Sequence, residues 1–258
     1  MGVEMQIQPL NFDQQVDDAI LRNYRGLRTR IGILSFLFPV ILVLVGYAWG
    51  IGLKPTLSNY YFAQDATRID HTPVRLWFCG ILFVVGFFLF RYQGFSKNED
   101  RWLSVAGTFA LGVAIFPMSC DGQDEYGFVL AWIGLTQFSL HYICAVLAFI
   151  CIAIVIVWYA DSTLLELKNS NLAAYNWYKR VYRGIAAYMI LSIAISIYLN
   201  YAHHGQGAYI LLAEASGIWA FAAYWFVKNG ELTEVGKVLK ARKTPLRART
   251  EADLAGKL

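Results

Sequence analysis

The residues that could perform chemistry are few, and the histidines are the most distinctive of them. His203 and His204 are adjacent in the loop NYAHHGQG between two apolar runs, and His141 opens another apolar run. Neutral imidazole and carboxylate groups are common zinc ligands, and three such ligands with a water form the hydrolytic zinc arrangement. His141, His203 and His204 are therefore the candidate ligands of a zinc ion, the one cofactor that the sequence suggests. The alternative is that the adjacent pair belongs to a plain hydrated turn.

Ser58, Asp121 and Glu214 are the candidate catalytic residues. Ser58, in the segment PTLSNYYF, is a candidate nucleophile, although Ser and Asn after Pro are also ordinary turn residues. Glu214 lies about seven residues into an apolar run, roughly 10 Å from its start at 1.5 Å per residue. An ionisable group at that depth is either functional or a protonated glutamate close to the membrane interface. The expected partner of Glu214 is a histidine, a metal ion or a basic side chain. Arg75 is the best-placed basic residue.

A polar stripe forms a third candidate site. Tyr188, Ser192, Ser196 and Asn200 follow one another at four-residue spacing, which places them on one face of a helix. The stripe serves either interhelical hydrogen bonds or a polar lining that leads to the loop NYAHHGQG. Together with Arg75, these four residues are the predicted ligand-binding set.

The composition indicates that membrane helices position these residues. The chain of 258 residues is 57% hydrophobic and only 16% charged, whereas an average soluble domain is about 25% charged. A span needs roughly 20 apolar residues, and nothing in the sequence alternates with the period of two expected of barrel strands. We predict an all-α, polytopic helical bundle with six transmembrane helices, at about residues 31–53, 73–90, 102–120, 138–160, 184–200 and 208–227.

The distribution of basic residues predicts the orientation of the bundle. Nearly all of the 22 Lys and Arg residues fall in the two tails and in alternate loops, and the opposite loops hold only Lys54, Arg68 and Arg75. Because cytoplasmic loops are enriched in Lys and Arg, both termini are predicted to be cytoplasmic, in a bacterial inner membrane. The net charge of +4 then reflects topology, and no nucleic-acid partner is expected. Membrane lipids are the expected partners.

The chain divides into three predicted parts. Residues 1–30 form a cytoplasmic segment in which apolar residues recur at helical spacing, as in an amphipathic helix at the membrane surface. Residues 31–228 form the six-helix transmembrane domain. Residues 229–258 form a basic cytoplasmic tail. Small residues in the third run, Ala106, Ala110 and Ala114, predict close helix packing, and Trp225 is expected in an interfacial aromatic belt.

Four segments carry a resemblance to known membrane proteins: PTLSNYYF, GILFVVGFFLFRYQGF, EDRWLSVAGTFALGVAIFP and LHYICAVLAF. In this order they resemble a bacterial domain-of-unknown-function family of six-span membrane proteins, and more loosely the Frag/DRAM/Sfk group. A remoter similarity is to the membrane hydrolases that include alkaline ceramidases, whose pattern requires a Ser, an Asp and three His. Ser58, Asp121, His141 and the His203 pair could supply it.

Three functions follow as hypotheses. The first is a non-enzymatic integral membrane protein whose outward-facing polar pocket binds a small ligand, a lipid or an ion. The second is a metal-dependent intramembrane hydrolase of a lipid amide or ester, with His141 and a loop histidine as ligands. The third is a small-solute transporter, less favoured because no broken-helix pair is apparent.

Overall fold

The computed structural model describes residues 12–61, 73–94, 96–116, 140–160, 163–204 and 207–255, and this part of the chain is helical. In chain order its elements are α1 (Phe12–Ala48), a 3₁₀ turn (Ser58–Tyr61), α2 (Pro73–Arg91), α3 (Lys97–Ile115), α4 (Leu140–Ile154, continued by a π turn over Val155–Tyr159), the short α5 (Leu165–Lys168), α6 (Leu172–Ala202) and α7 (Tyr209–Ala255). The prediction of an all-α protein is confirmed.

Five of these helices are long and apolar enough to cross a membrane: Asp18–Ala48, Val74–Arg91, Leu140–Tyr159, Leu172–Ala202 and Tyr209–Val238. A hydrocarbon core of about 30 Å needs roughly 20 helical residues, which each of these stretches approaches or exceeds. The chain is therefore a polytopic membrane protein of the helical class. The sixth long helix, α3, begins with the charged segment Lys97–Arg101 and packs between α2 and α4.

Local sequence explains where two of the helices begin. The Ser96 side chain accepts a hydrogen bond from the Glu99 backbone N–H at 3.1 Å, which caps the start of α3. Asn171 accepts in the same way from the Ala174 backbone N–H at 3.1 Å at the start of α6. Such caps satisfy backbone donors that have no partner within the helix. Pro39 lies within α1.

Small residues allow α2 and α3 to pack closely. Ala106, Ala110 and Ala114 are buried, which confirms their predicted packing role. A Cβ atom on Gly107 would lie 2.5 Å from the Gly86 carbonyl oxygen and 2.7 Å from the Phe90 nitrogen. Both neighbours are backbone atoms that cannot turn away, so only glycine fits at this crossing.

The packing order places the first and last described helices against each other. α1 packs against α2 and α7, and α7 also packs against α6. Both long helices continue past the predicted domain boundaries, since α1 already starts at Phe12 and α7 runs on to Ala255. The predicted surface segment and the first part of the predicted tail are thus continuous with membrane-spanning helices.

Candidate functional site

The 3₁₀ turn after α1 carries the first residue of the site. The Leu211 backbone N–H donates to the Pro55 carbonyl at 2.9 Å, and the Asn59 N–H donates to Thr56 Oγ1 at 2.9 Å. The first bond ties the segment to α7 and the second closes the turn. Ser58, only 6% exposed, consequently faces the interior of the bundle.

His141, in the first turn of α4, lies directly opposite Ser58. Its side chain is fully buried. His141 Nε2 is 2.8 Å from Ser58 Oγ, and His141 Nδ1 is 2.8 Å from the Phe116 carbonyl oxygen. The Phe78 ring stacks on the imidazole with centroids 6.4 Å apart. Hydrogen bonds at both ring nitrogens and contacts with aromatic rings thus fix the orientation of the imidazole.

Glu214 of α7 completes this group, which we call the Ser58 cluster (Ser58, His141 and Glu214). Glu214 Oε2 accepts a hydrogen bond from the Leu57 N–H at 2.5 Å, and the carboxylate also accepts from the Ser58 N–H. Glu214 Oε1 lies 3.3 Å from Ser58 Oγ. The carboxylate therefore sits on a pair of backbone donors beside a serine hydroxyl.

The positions of the protons follow from these partners. A carbonyl oxygen can only accept, so His141 Nδ1 carries a hydrogen and donates it to Phe116. The neutral imidazole then has a free lone pair on Nε2. Ser58 has a single hydroxyl hydrogen, and the contact of 2.8 Å to His141 is much shorter than the one of 3.3 Å to Glu214. Ser58 accordingly donates to His141.

A cavity of about 110 Å³ opens beside the Ser58 cluster in the middle of the bundle. Ser58 and Glu214 lie on its wall, and Ser35 of α1 is the third polar residue there. The rest of the described wall is apolar and comes from α1, α2, α3, α4 and α7, with side chains such as Phe38, Val85 and Phe149. The cavity is therefore apolar, with three polar residues on its described wall.

Arg75, His203 and His204 lie outside the Ser58 cluster. Arg75 Nη2 donates to the Tyr61 hydroxyl at 2.6 Å and its guanidinium lies 4.3 Å from the centre of that ring, so Glu214 is not its partner. His203 closes α6, where its backbone N–H donates to the Leu199 carbonyl at 2.9 Å. His203 and His204 are both exposed, and the His203 ring stacks on Tyr209.

The predicted zinc site has no counterpart in the part of the chain that the structure describes. Within those residues, no three His, Cys, Asp or Glu side chains lie close enough together to hold a metal ion. Both ring nitrogens of His141 are already within hydrogen-bond distance of protein oxygens. Asp121 lies outside the described residues.

The polar stripe of α6 lies away from the cavity. Tyr188 is 49% exposed, and the Ser192 hydroxyl donates to the Met189 carbonyl of its own helix at 3.1 Å. Ser196 is buried and Asn200 is half-buried. None of the four is among the described residues that line the cavity, and the contact of Ser192 agrees with an intrahelical role instead.

The structure also reveals a second buried polar group that sequence reasoning missed. We call it the Lys228 cluster: Arg28, Glu99, Lys228 and Glu231, each with no exposed surface. Lys228 Nζ donates to the Ala160 carbonyl at 2.6 Å and to Thr163 Oγ1 at 3.0 Å, and it lies 3.8 Å from Glu99 and 3.9 Å from Glu231. Two cations and two carboxylates of this cluster thus balance in charge.

Aromatic hydroxyls complete the Lys228 cluster. Arg28 donates to the Lys228 carbonyl at 3.0 Å and to the Tyr92 hydroxyl at 2.5 Å. Tyr224 donates to Glu99 at 3.3 Å, and Tyr182 donates to Glu231. Burial raises the pKa of Tyr92 well above its ordinary value, against the opposing effect of Arg28, so Tyr92 remains a neutral phenol. The available sequence clue was the spacing of Lys228 and Glu231, which places them on one face immediately after an apolar run.

Trp225 belongs to the same region, and its prediction as an interfacial residue is wrong. Its ring is fully buried and packs edge-on against Tyr92, with centroids 4.8 Å apart, and also against Phe221 and Tyr224. The helices around the Lys228 cluster enclose it because α7 does not stop at the end of its apolar run. Trp225 therefore has a packing role.

Comparison with protein families, with curated proteins and with solved structures found no match to this chain.

Proposed function

We propose that this chain is a six-span membrane protein that binds the apolar end of a lipid or small molecule in its bundle cavity, with the polar end of the ligand at the Ser58 cluster. The observation that carries this proposal is the cavity itself. Its wall is apolar apart from Ser35, Ser58 and Glu214, and two of these three belong to one hydrogen-bonded group. Ligand sites in proteins commonly combine an apolar wall with a few polar groups that fix orientation.

The cavity limits the size of the group that enters it. An engineered apolar cavity of about 150 Å³ binds benzene. At about 110 Å³, this cavity suits a slightly smaller group, such as a short or branched alkyl chain. The remainder of a longer ligand would extend out of the cavity.

The charge distribution supports a location for this site. With both termini in the cytoplasm, the Ser58 cluster lies near the outer surface of a bacterial inner membrane and the Lys228 cluster near its cytoplasmic surface. In this arrangement α3 also crosses the membrane, which brings the number of spans to six, and its charged start lies at the cytoplasmic end. The ligand then enters from the outer leaflet or from the space outside it.

A photoreactive alkanol tests the proposal. The purified full chain, in lipid nanodiscs, is irradiated with a short-chain diazirine alkanol, and the labelled peptides are mapped by mass spectrometry. We expect adducts on residues that line the cavity, since the alkyl chain enters the apolar part and the hydroxyl reaches Ser58 or Glu214.

Two variants on one helix make the test specific. Ala145→Phe places a ring in the cavity wall and should abolish the cavity adducts. Val146→Phe is the matched control, because Val146 is 57% exposed and points away from the core. Cavity labelling that survives Ala145→Phe, or that falls equally in both variants, would contradict the proposal.

A further inference from the structure

We infer that Ser58 is a nucleophile and His141 its general base, and that the pair cleaves a carboxylic ester whose short acyl group occupies the bundle cavity. This inference rests on the proposed function, because the cavity has to accept the acyl group. The arrangement differs from the metal-dependent hydrolase considered from the sequence, since it uses no metal ligand. It depends on the geometry of Ser58, His141 and Phe116.

The first requirement of such a pair is an oriented base, and His141 meets it. A serine hydroxyl is a weak nucleophile until a base within about 2.6–3.2 Å removes its proton. Ser58 Oγ lies 2.8 Å from His141 Nε2. The base must in turn be held in the correct tautomer, which a third group achieves by accepting from the other ring nitrogen. Here the Phe116 carbonyl does so at 2.8 Å from Nδ1.

The second requirement is a set of donors for the oxyanion that forms during acyl transfer. Backbone N–H groups, including that of the nucleophile itself, often provide them. The N–H groups of Leu57 and Ser58 both donate to the Glu214 carboxylate, beside the Ser58 hydroxyl. In the reaction that we infer, an acyl carbonyl oxygen takes the place of the Glu214 carboxylate on these two donors, and the Glu214 side chain, which retains some exposed surface, turns aside.

The reaction balances with water as the second reactant. Ser58 Oγ forms a bond to the carbonyl carbon while its proton passes to His141 Nε2. The bond from that carbon to the alcohol oxygen then breaks, and the leaving alkoxide takes the proton from His141. Water next attacks the acyl-serine and gives a proton to His141, which returns it to Ser58 Oγ as the carboxylic acid leaves. The net reaction converts an ester and water into an acid and an alcohol.

A fluorophosphonate with a short alkyl chain tests the assignment. Attack by Ser58 forms an oxygen–phosphorus bond and releases fluoride, and the stable adduct is located by peptide mass spectrometry. We expect an adduct on Ser58 of the full chain in nanodiscs, and none on Ser58→Ala. Because a general base typically contributes about 100- to 10,000-fold, His141→Gln should slow labelling within this range.

Two further variants separate this role from simple access to the cavity. Ser35 lines the same cavity but its hydroxyl has no hydrogen-bond partner among the described residues, so Ser35 should remain unlabelled. Ser104→Ala should label as the wild type does, because Ser104 is not among the described residues that line the cavity and its hydroxyl donates to the Phe90 carbonyl at 3.2 Å. Glu214→Gln should retain at least a tenth of the wild-type rate. If Glu214→Gln slowed the labelling of Ser58 as much as His141→Gln does, Glu214 would be the base and the assignment would be overturned.

The outcomes distinguish this inference from the proposed function. Labelling of the cavity by the diazirine alkanol, with no fluorophosphonate adduct on Ser58, would overturn the inference and leave the binding function standing. Absence of both signals in a folded protein would overturn both. Variants are compared only where their elution on size exclusion and their thermal unfolding midpoint match the wild type. If His141→Gln fails this comparison, His141→Asn replaces it, with the same expected loss.

Discussion

The Ser58 cluster and the Lys228 cluster lie 14 residues apart along α7, from Glu214 to Lys228, which is about 21 Å at 1.5 Å per residue. Both are hydrogen-bonded groups inside the bundle, yet their composition differs. The Lys228 cluster balances two cations with two carboxylates and surrounds them with tyrosines. The Ser58 cluster has one carboxyl and one imidazole, and two of its members face a cavity.

This difference separates a cluster that joins helices from a cluster that adjoins a cavity. In the Lys228 cluster the ionised groups bond to other side chains or to backbone carbonyls of α4 and α7, so the interactions join helices. In the Ser58 cluster a serine hydroxyl lies on the wall of the apolar cavity. Burial of an ionisable group in a membrane protein therefore does not by itself mark a functional site, and access to a cavity is the more informative property.

The comparison predicts its largest effect at Lys228. Lys228→Met removes one cation and leaves Glu99 and Glu231 buried against Arg28 alone. Removing one partner of a buried ion pair costs about 3–5 kcal/mol. We expect the free energy of unfolding, measured by steric trapping in bicelles, to fall by this amount.

An exposed lysine on the same helix is the matched control. Lys237 pairs with Glu234 at 2.8 Å, with 68% and 40% of the two side chains exposed. An exposed pair of this kind contributes at most about 1 kcal/mol, so Lys237→Ala should change the stability little. If Lys228→Met were as stable as the wild type, the Lys228 cluster would not stabilise the fold. The contrast between this cluster and the Ser58 cluster would then be lost.

Ser58→Ala should have a smaller effect on stability than Lys228→Met. It leaves the buried Nε2 of His141 without its donor, and a buried polar atom that loses its partner costs about 1–3 kcal/mol. Ser192→Ala is the control, since its hydroxyl bonds only to the Met189 carbonyl of its own helix in the described structure. A hydrogen bond between membrane helices averages about 0.6 kcal/mol, and Ser192→Ala should cost no more than that. The same unfolding measurement compares the two, and an equal cost would mean that Ser58 has no special interior role.

The sequence predicted the helical elements well because apolar length determines them. The predicted second run, 73–90, corresponds to α2, and the predicted sixth run, 208–227, lies almost entirely within α7. The positions at which the helices end were predicted less well. α7 continues past Gly230, Gly236 and Pro245 to Ala255, and its first turns beyond the apolar run are stabilised because Lys228 and Glu231 have partners within the bundle.

The site was predicted in part. Ser58, His141 and Glu214 were each identified by residue type and position, yet their contact joins three distant segments and no spacing in the sequence encodes it. The distribution of basic residues predicts that Arg28 and Lys228 are charges of the two cytoplasmic tails, because this distribution gives topology and carries no information on burial. Only tertiary packing shows that both are fully buried.

The Lys228 cluster also predicts a pH dependence at alkaline pH. Burial raises the pKa of Tyr92 in the folded protein above the value of about 10 that it has when unfolded. Below pH 10 both states keep the proton, and this contribution to stability is fully present. Above pH 10 the unfolded state loses the proton and the folded state retains it, so stability should fall by about 1.4 kcal/mol per pH unit.

Tyr92→Phe identifies the group responsible for this slope. The variant has no proton to lose, so the decline in unfolding free energy between pH 10 and pH 11 should be smaller by about 1 kcal/mol, whatever its stability at neutral pH. Tyr201→Phe, at a side chain that is 82% exposed, is the control and should keep the wild-type slope. An unchanged slope in Tyr92→Phe would show that Tyr92 ionises as readily in the folded protein as in the unfolded one.

The smallest expected effect is at Ser35, which shares the cavity with Ser58 but none of its partners. Ser35 is 2% exposed, and its hydroxyl has no hydrogen-bond partner among the described residues. Ser35→Ala removes an unsatisfied polar group, so the free energy of unfolding should stay within about 1 kcal/mol of wild type or rise slightly. A loss above about 2 kcal/mol would place a second polar interaction inside the cavity. The Ser58 cluster would then no longer be the single polar end of the binding site, and the orientation that we propose for the ligand would have to be reversed or abandoned.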